Sequence, residues 1–189
     1  ALIYSDKEHD WTSNLSYNRR RIDGQKIDTK GKVSRSGGSS NIVLSRINFD
    51  TTKKWQLSQQ GSLVTGVTAD REKYEEIVDR SHEVTRDSLG LYTSYSHDFS
   101  DKFSAVFGMR AQFVKGNKAD SAKNAYLPQL QTLYKIDDQT SWYTNIGKSF
   151  EMPAINSMYS RKGTSRNDNL KPQEGWSYET GIKRVTDTS

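Results

Sequence analysis

Lys102-Phe103-Ser104-Ala105-Val106-Phe107-Gly108-Met109-Arg110-Ala111-Gln112-Phe113-Val114 is the stretch whose reading decides the fold. Phe103, Ala105, Phe107, Met109, Ala111 and Phe113 share one parity. Ser104, Gly108, Arg110 and Gln112 hold the other, with Val106 and Val114 as its apolar exceptions. A helix spaces its apolar residues by three and four, whereas a strand sends successive side chains to opposite faces. The period here is two. One face is greasy along its whole length, and the other carries a charge and an amide.

Neighbouring segments repeat the design. Trp11, Leu15 and Tyr17 alternate with Thr12, Asn14 and Asn18; Val43, Ile47 and Phe49 oppose Arg46 and Asn48. Leu63, Val67 and Ala69 alternate with Gly66, Thr68 and Asp70, and Leu89, Leu91 and Tyr95 with Ser88, Gly90 and Ser94. Trp142 and Ile146 oppose Asn145 and Gly147; Trp176, Tyr178 and Ile182 oppose Glu179 and Lys183. With a stub at Ala1–Tyr4, this predicts eight or nine antiparallel strands.

The connections between them are asymmetric. Ser5–Asp10, Ser100-Asp101-Lys102 and Asp137-Asp138-Gln139 are short and polar, as tight hairpin turns require. Asp23–Gly38, Glu75–Arg86, Lys115–Asn124 and Glu151–Gly175 read as long loops. Thr51–Gln60 reads as a strand extension through Trp55 and Leu57 before a short turn near Gln59-Gln60. Short turns and long loops alternate, so an up-and-down meander gathers the long loops at one end, as in outer-membrane barrels. Trp11, Phe99, Phe103, Tyr134 and Trp142 fall near the short turns, where a girdle of amphipathic rings would sit. A soluble sandwich with aromatic strand ends satisfies the same periodicity equally well.

Composition narrows the classes. The chain has 189 residues, no Cys and 3 Pro, which suits one domain or part of a larger one. Only 32% of residues are hydrophobic and the mean hydropathy is −0.89, values that would also suit partial disorder. The aromatics (4 Trp, 10 Tyr, 6 Phe) argue against disorder, because they recur inside the alternating segments. No apolar run reaches the roughly 18 residues of a membrane helix, but a barrel strand needs only about 9–11 with one lipid-facing side. The opening Ala1-Leu2-Ile3-Tyr4 looks like a strand end and carries no export signal, which for an exported protein predicts a mature fragment. The absence of Cys fits an exported protein without a disulfide framework. The net charge of +5 is spread among interleaved acids, without an RNA-binding signature or zinc-finger spacing, so nucleic acid is not an expected partner.

No catalytic constellation emerges. His9, His82 and His97 are far apart and lack metal-ligand spacing. Asp137-Asp138 and Glu75-Glu76 are adjacent carboxylates, which a strand would send to opposite faces. Ser36-Gly37-Gly38-Ser39-Ser40 lacks the following helix that a phosphate cradle needs and reads as a loop tip. The expectation is no catalytic residue, no metal ligand and no cofactor.

A longer ordered series carries a family resemblance. It comprises Leu127-Pro128-Gln129-Leu130, Leu133-Tyr134-Lys135-Ile136-Asp137-Asp138-Gln139 and Trp142-Tyr143-Thr144-Asn145. It continues with Ser149-Phe150-Glu151-Met152-Pro153-Ala154-Ile155-Asn156, Met158-Tyr159, Asn169-Leu170-Lys171-Pro172-Gln173-Glu174 and Tyr178-Glu179-Thr180-Gly181. This series resembles the barrel of TonB-dependent outer-membrane receptors, the active importers of iron-siderophores, haem and cobalamin. Tyr17-Asn18-Arg19-Arg20-Arg21 and Gly66-Val67-Thr68-Ala69-Asp70-Arg71-Glu72 look most like the colicin-I-receptor and enterobactin-receptor branch. Two positions depart from the family pattern. Glu151 stands where a basic residue often follows the Phe, and Gln173 stands where Leu-Lys-Pro usually ends in Glu. The family's plug domain, TonB box and terminal aromatic strand lie outside these 189 residues.

The resemblance implies an all-β antiparallel meander over residues 1–189, a partial β-barrel domain from a transmembrane barrel of about 22 strands. An isolated stretch of that kind has two unpaired edges, so it would close into a smaller barrel, fold as an open or rolled sheet, or associate through its edges. The implied function is uptake of a ferric siderophore or similar scarce ligand across a Gram-negative-type outer membrane. Outer-membrane lipid would be a partner, and TonB would energise uptake through parts of the parent outside this chain. Arg110, Gln112, Gln129 and Asn145 would line the passage. Arg19, Arg20 and Arg21, leading into a long loop, and Tyr159, Arg161 and Arg166, within another, are the candidate ligand contacts. Guanidinium groups suit an anionic complex such as a ferric catecholate. A solvated charge run, or basic residues facing the anionic outer leaflet, accounts for the same residues by default. Tyr126, Tyr159 and Trp176 could stack on an aromatic ligand or serve as girdle. The alternative to a transporter is a self-contained soluble β-domain that binds a ligand or partner through its long loops.

Overall fold

The computed structural model describes residues 1–24, 40–77, 81–117, 122–159 and 170–185. Its strands are β1 (Leu2–Asp6), β2 (Trp11–Gly24), β3 (Ser40–Gln56), β4 (Gly61–Ile77), β5 (Ser81–Asp98), β6 (Phe103–Gly116), β7 (Lys123–Lys135), β8 (Thr140–Glu151) and β9 (Gln173–Arg184). They form one nine-stranded sheet whose spatial order is the chain order, every neighbour antiparallel. The expected meander is therefore what the chain forms. The sheet is open among the described residues, with β1 and β9 at its edges.

Register assigns every side chain to a face. The pairs Leu15↔Phe49, Phe49↔Ala69, Ala69↔Leu89 and Leu89↔Phe113 put one apolar row on a single side across five strands. Phe103↔Tyr134↔Trp142 is a second row on that side, at the short-turn end. This outer face is left open: Leu91, Phe107, Met109 and Trp142 are each 44–50% exposed. A contiguous apolar surface of this extent marks contact with another apolar medium. Along β6 it runs from Phe103 to Phe113, ten steps of about 3.4 Å. At a tilt of about 40° that is roughly 25 Å of height, similar to the apolar band that outer-membrane barrels present. Toward the other end charge takes over. Arg71 donates to both oxygens of Asp87 at 2.6 and 2.8 Å, and Lys73 pairs with Glu75 at 2.7 Å and Glu83 at 3.1 Å.

The four short turns share one device, a side-chain oxygen that accepts backbone N–H groups two or three residues on. Asp6 accepts from Glu8 and His9, Ser58 from Gln60, Ser100 from Lys102 and Phe103, and Asp137 from Gln139 and Thr140. The backbone N–H of Gln139, above all, holds the Asp137 carboxyl below its usual range. His9 does the same for Asp6 through its side-chain hydrogen bond. Asp10 closes the first turn at φ 50°, a left-handed position that Asp tolerates better than most residues.

The long loops need correction. Glu75–Arg86 is no loop: β4 runs to Ile77, β5 starts at Ser81, and Glu75↔Glu83 and Glu76↔His82 continue the ladder. The alternation persists there, but charged residues replace apolar ones on the outer face, so hydropathy gives no sign of the strand. β6 likewise takes in Lys115 and Gly116, and β7 begins at Lys123. β2 reaches Gly24; 25–39, with the glycine-rich run up to Ser39, lie outside the described residues. Within Glu151–Gly175, β9 begins at Gln173, and a one-turn helix, α1 (Ile155–Tyr159), interrupts the otherwise all-β chain. The strand alternation offers no sign of α1, because its apolar pair Ile155 and Met158 is spaced by three. That pair packs on Tyr74 and Val84, with Ile42 and Leu44 beside them, and forms the small core.

Candidate ligand-facing wall

The opposite face of the sheet, here called inner because α1 lies on it, is built from the polar parity of each strand. Asn18 and Arg20 come from β2, Arg46 from β3, Asp70 and Glu72 from β4, Arg86 from β5, and Arg110 and Gln112 from β6. Gln129 and Asn145 follow on β7 and β8, so the four expected passage-lining residues share this face.

Two networks organise it. In the first, Arg46 grips Asp70 with two donors, the Nε–Oδ1 bond being 2.6 Å, and lies 3.9 Å from Glu72. Arg86 donates to Glu72 through Nε at 2.9 Å and through Nη2. Its Nη1 donates at 2.6 Å to the carbonyl of Pro153, just before α1. Arg86 is only 11% exposed, so its charge is largely removed from water and needs those partners. The result is a chain of alternating charge across three strands that also ties down the α1 segment.

The second network uses missing side chains. Tyr92 lies over Gly66 to bond Thr52 two strands away, and a Cβ on Gly66 would collide with its ring. Arg110 crosses Gly90 in the same way to reach Thr68 at 2.7 Å, bonds Gln112 at 3.0 Å, and stands 5.6 Å from the Tyr92 ring centre. The wall therefore presents long polar side chains laid flat and mutually satisfied.

Beside the two networks, two adjoining hollows open on this face. A crevice of about 350 Å³ lies between β2–β3 and α1; Leu44 and Ile155 floor it, and Arg20, Arg46, Arg86 and the carboxylate of Glu72 stand around it. A groove of about 480 Å³ beside it is lined by Asp70, Glu72, Arg110, Gln112, the end of β8 at Phe150 and Glu151, and Met152 just after it. With Arg46 and Arg86 engaged by Asp70, Glu72 and the Pro153 carbonyl, Arg20 is the guanidinium of the crevice that can meet an anionic or amphipathic guest over the apolar floor. Among the described residues no group of three His, Cys, Asp or Glu is placed to hold a metal ion.

The structure separates the expected contacts. Arg19, Arg20 and Arg21 lie in β2 itself, and strand parity splits them. Arg20 faces the crevice, while Arg19 and Arg21 share the outer face with Tyr17; Arg21 bonds Asp23 at 3.0 Å. Tyr159 ends α1; its side chain, with Arg161 and Arg166, lies outside the described residues. Tyr126 and Trp176 are on the outer face, 61% and 53% exposed, away from the wall. Arg46, Asp70, Glu72 and Arg86 are wall residues that single-strand reading does not select. Their complementarity lies in cross-strand register, which alternation within one strand does not contain.

The same fold recurs in solved structures. The copper transporter OprC superposes with a TM-score of 0.79 at 13% identity, covering 98% of this chain and 35% of that one. The siderophore receptor PirA from Acinetobacter baumannii gives 0.61 at 15%, covering 94% and 30%. The ferric yersiniabactin uptake receptor FyuA from Yersinia pestis gives 0.53 at 16%, covering 98% and 32%. The chain thus spans about a third of the length of these structures, and at such identities the likeness is one of fold. No curated protein sequence matches the chain. The family model "TonB dependent receptor-like, beta-barrel" matches residues 2–189, nearly the entire sequence. Members of that family are transporters rather than enzymes. With its meander, its greasy outer face and its charge-paired inner wall, the chain belongs to the TonB-dependent receptor β-barrel family.

Proposed function

We propose that this chain is part of the wall of an outer-membrane receptor that imports a ferric siderophore or similar scarce ligand, driven by TonB. The observation that carries the reading is the inner wall, where Arg20 stands at an apolar-floored crevice beneath α1 whose other arginines, Arg46 and Arg86, are held by Asp70 and Glu72. Guanidinium groups in that setting suit an anionic complex with an apolar body. Arg20 is the ligand contact on the described wall, and Tyr159, Arg161 and Arg166 extend the binding surface beyond α1. Arg19 and Arg21 face the outer leaflet instead. The enterobactin-receptor-like branch is the subgroup whose anionic ligands fit this chemistry.

The test is uptake by cells that depend on the intact protein carrying this chain, measured with a radiolabelled ferric catecholate and with copper. Iron uptake that falls about tenfold with Arg20→Glu is the expected result, equivalent to one lost charged contact. Copper uptake without iron uptake would overturn the siderophore reading and keep the receptor. Uptake of neither would overturn the reading of an iron or copper cargo.

A further inference from the structure

At the short-turn end of the outer face, Lys53 lies between two indoles. Its ammonium is 4.4 Å from the ring centre of Trp55 and 5.8 Å from that of Trp11, both within cation–π range. Trp11 is its direct cross-strand partner on β2, and Trp55 follows two residues later on the same face. The indole N–H groups are already committed. Trp11 donates to Thr51 at 2.8 Å and Trp55 to Thr65 at 3.2 Å. These bonds fix both rings as walls and leave the ammonium as the donor of the trio. Tyr4 adds an edge-to-face contact with Trp11, 6.3 Å between centres, which widens the platform onto β1.

Among the described residues no carboxylate bridges to Lys53. On β2 and β3 the apolar positions of the band, Leu15 and Phe49, begin further along the same face, and only the two indoles flank Lys53 on its turn side. Lys53 therefore stands where hydrocarbon gives way to headgroups, and phosphate oxygens are the acceptors abundant at that level.

We propose that Lys53, walled by Trp11 and Trp55, is a seat for the phosphodiester of one anionic phospholipid of the short-turn-side leaflet. A zwitterionic headgroup would bring its own ammonium beside Lys53, so phosphatidylglycerol is the occupant that charge favours. The seat rests on the membrane-embedded reading of the outer face.

The test is native mass spectrometry of the intact protein carrying this chain, titrated with phosphatidylglycerol, phosphatidylethanolamine or lipid A. Lys53→Met is compared with Lys53→Arg and with Lys54→Met, whose side chain points to the inner face one residue away. One retained phosphatidylglycerol is expected in the wild type, Lys53→Arg and Lys54→Met, with about tenfold weaker retention in Lys53→Met. Equal retention in Lys53→Met, equal loss in Lys54→Met, or displacement by lipid A would each overturn the seat. Heat-modifiable mobility, run on every variant, reports the barrel separately. Its absence in the wild type would remove the membrane reading and the seat with it.

Discussion

Replacing Arg86 with Met should free the α1 segment from the wall while leaving the sheet intact. The side chain makes two donations to Glu72 and one, at 2.6 Å, to the Pro153 carbonyl. Breaking a fully buried ion pair costs about 3–5 kcal/mol. Glu72 retains 26% exposure, and Arg46 remains 3.9 Å away, so solvent and that second guanidinium cushion the loss. A cost of about 2 kcal/mol at the latch is the reasonable figure. Ile155 and Met158 stay apolar and keep their affinity for Tyr74 and Val84, so the segment loosens rather than leaves. The amides of Ser157 and Met158, both bonded to the Ala154 carbonyl, report that loosening. Hydrogen exchange over residues 153–159 should accelerate about 30-fold, the factor equivalent to 2 kcal/mol. Exchange in β6 should not change. A double substitution, Arg86→Met with Glu72→Met, should be less harmful to global stability than Arg86→Met alone, because it leaves no stranded carboxylate. Unchanged exchange over α1 in a folded Arg86→Met protein would refute the latch.

Other consequences follow from the same geometry. Gly66→Val should cost about 1–3 kcal/mol by displacing Tyr92 from Thr52, whereas Gly147→Ala, whose added Cβ meets nothing closer than 3.8 Å, should stay within about 0.5 kcal/mol in the same urea titration. Met109→Arg, near the middle of the outer apolar run, should cost about 2–4 kcal/mol in bilayers. Gln131→Arg on the inner face should cost little, and equal costs would break the assignment of faces. Asp137 has its pKa lowered in the folded chain, so its contribution is present above the unfolded value and lost as pH falls through the folded one. Protection of the Gln139 and Thr140 amides should therefore persist below the ordinary carboxylate range in the wild type, and should be absent at every pH in Asp137→Ala.

Where a strand crosses the apolar band, its sequence reveals it. Phe103 to Phe113 shows the period of two, and Arg110 and Gln112 fall on the inner face as the alternation requires. Beyond the band the signal fails for a physical reason. Lys73, Glu75 and Glu83 hold the β4–β5 ladder through ion pairs, and a hydropathy pattern cannot distinguish paired charges on a strand from charges in a loop. The Arg19-Arg20-Arg21 run illustrates the opposite error. Its composition suggests one basic cluster, but continuation of β2 through it divides the three between two faces. The Arg46–Asp70 and Glu72–Arg86 pairs join residues 14 to 24 positions apart and became legible only with register. The short helix α1 depends on the apolar patch at Tyr74 and Val84, which is remote in sequence, so local propensity does not announce it.

The central claim is that the two faces of the sheet meet two different media, lipid outside and an aqueous passage inside. The chain itself contributes no cysteine, so single cysteines can be placed along β6 from Phe103 to Phe113 in the intact protein and spin-labelled in bilayers. The account predicts a strict alternation. Labels at 103, 105, 107, 109, 111 and 113 should be relaxed by oxygen dissolved in the lipid, and labels at 104, 106, 108, 110 and 112 by a water-soluble nickel chelate. Labels at both parities equally open to the aqueous reagent would contradict it.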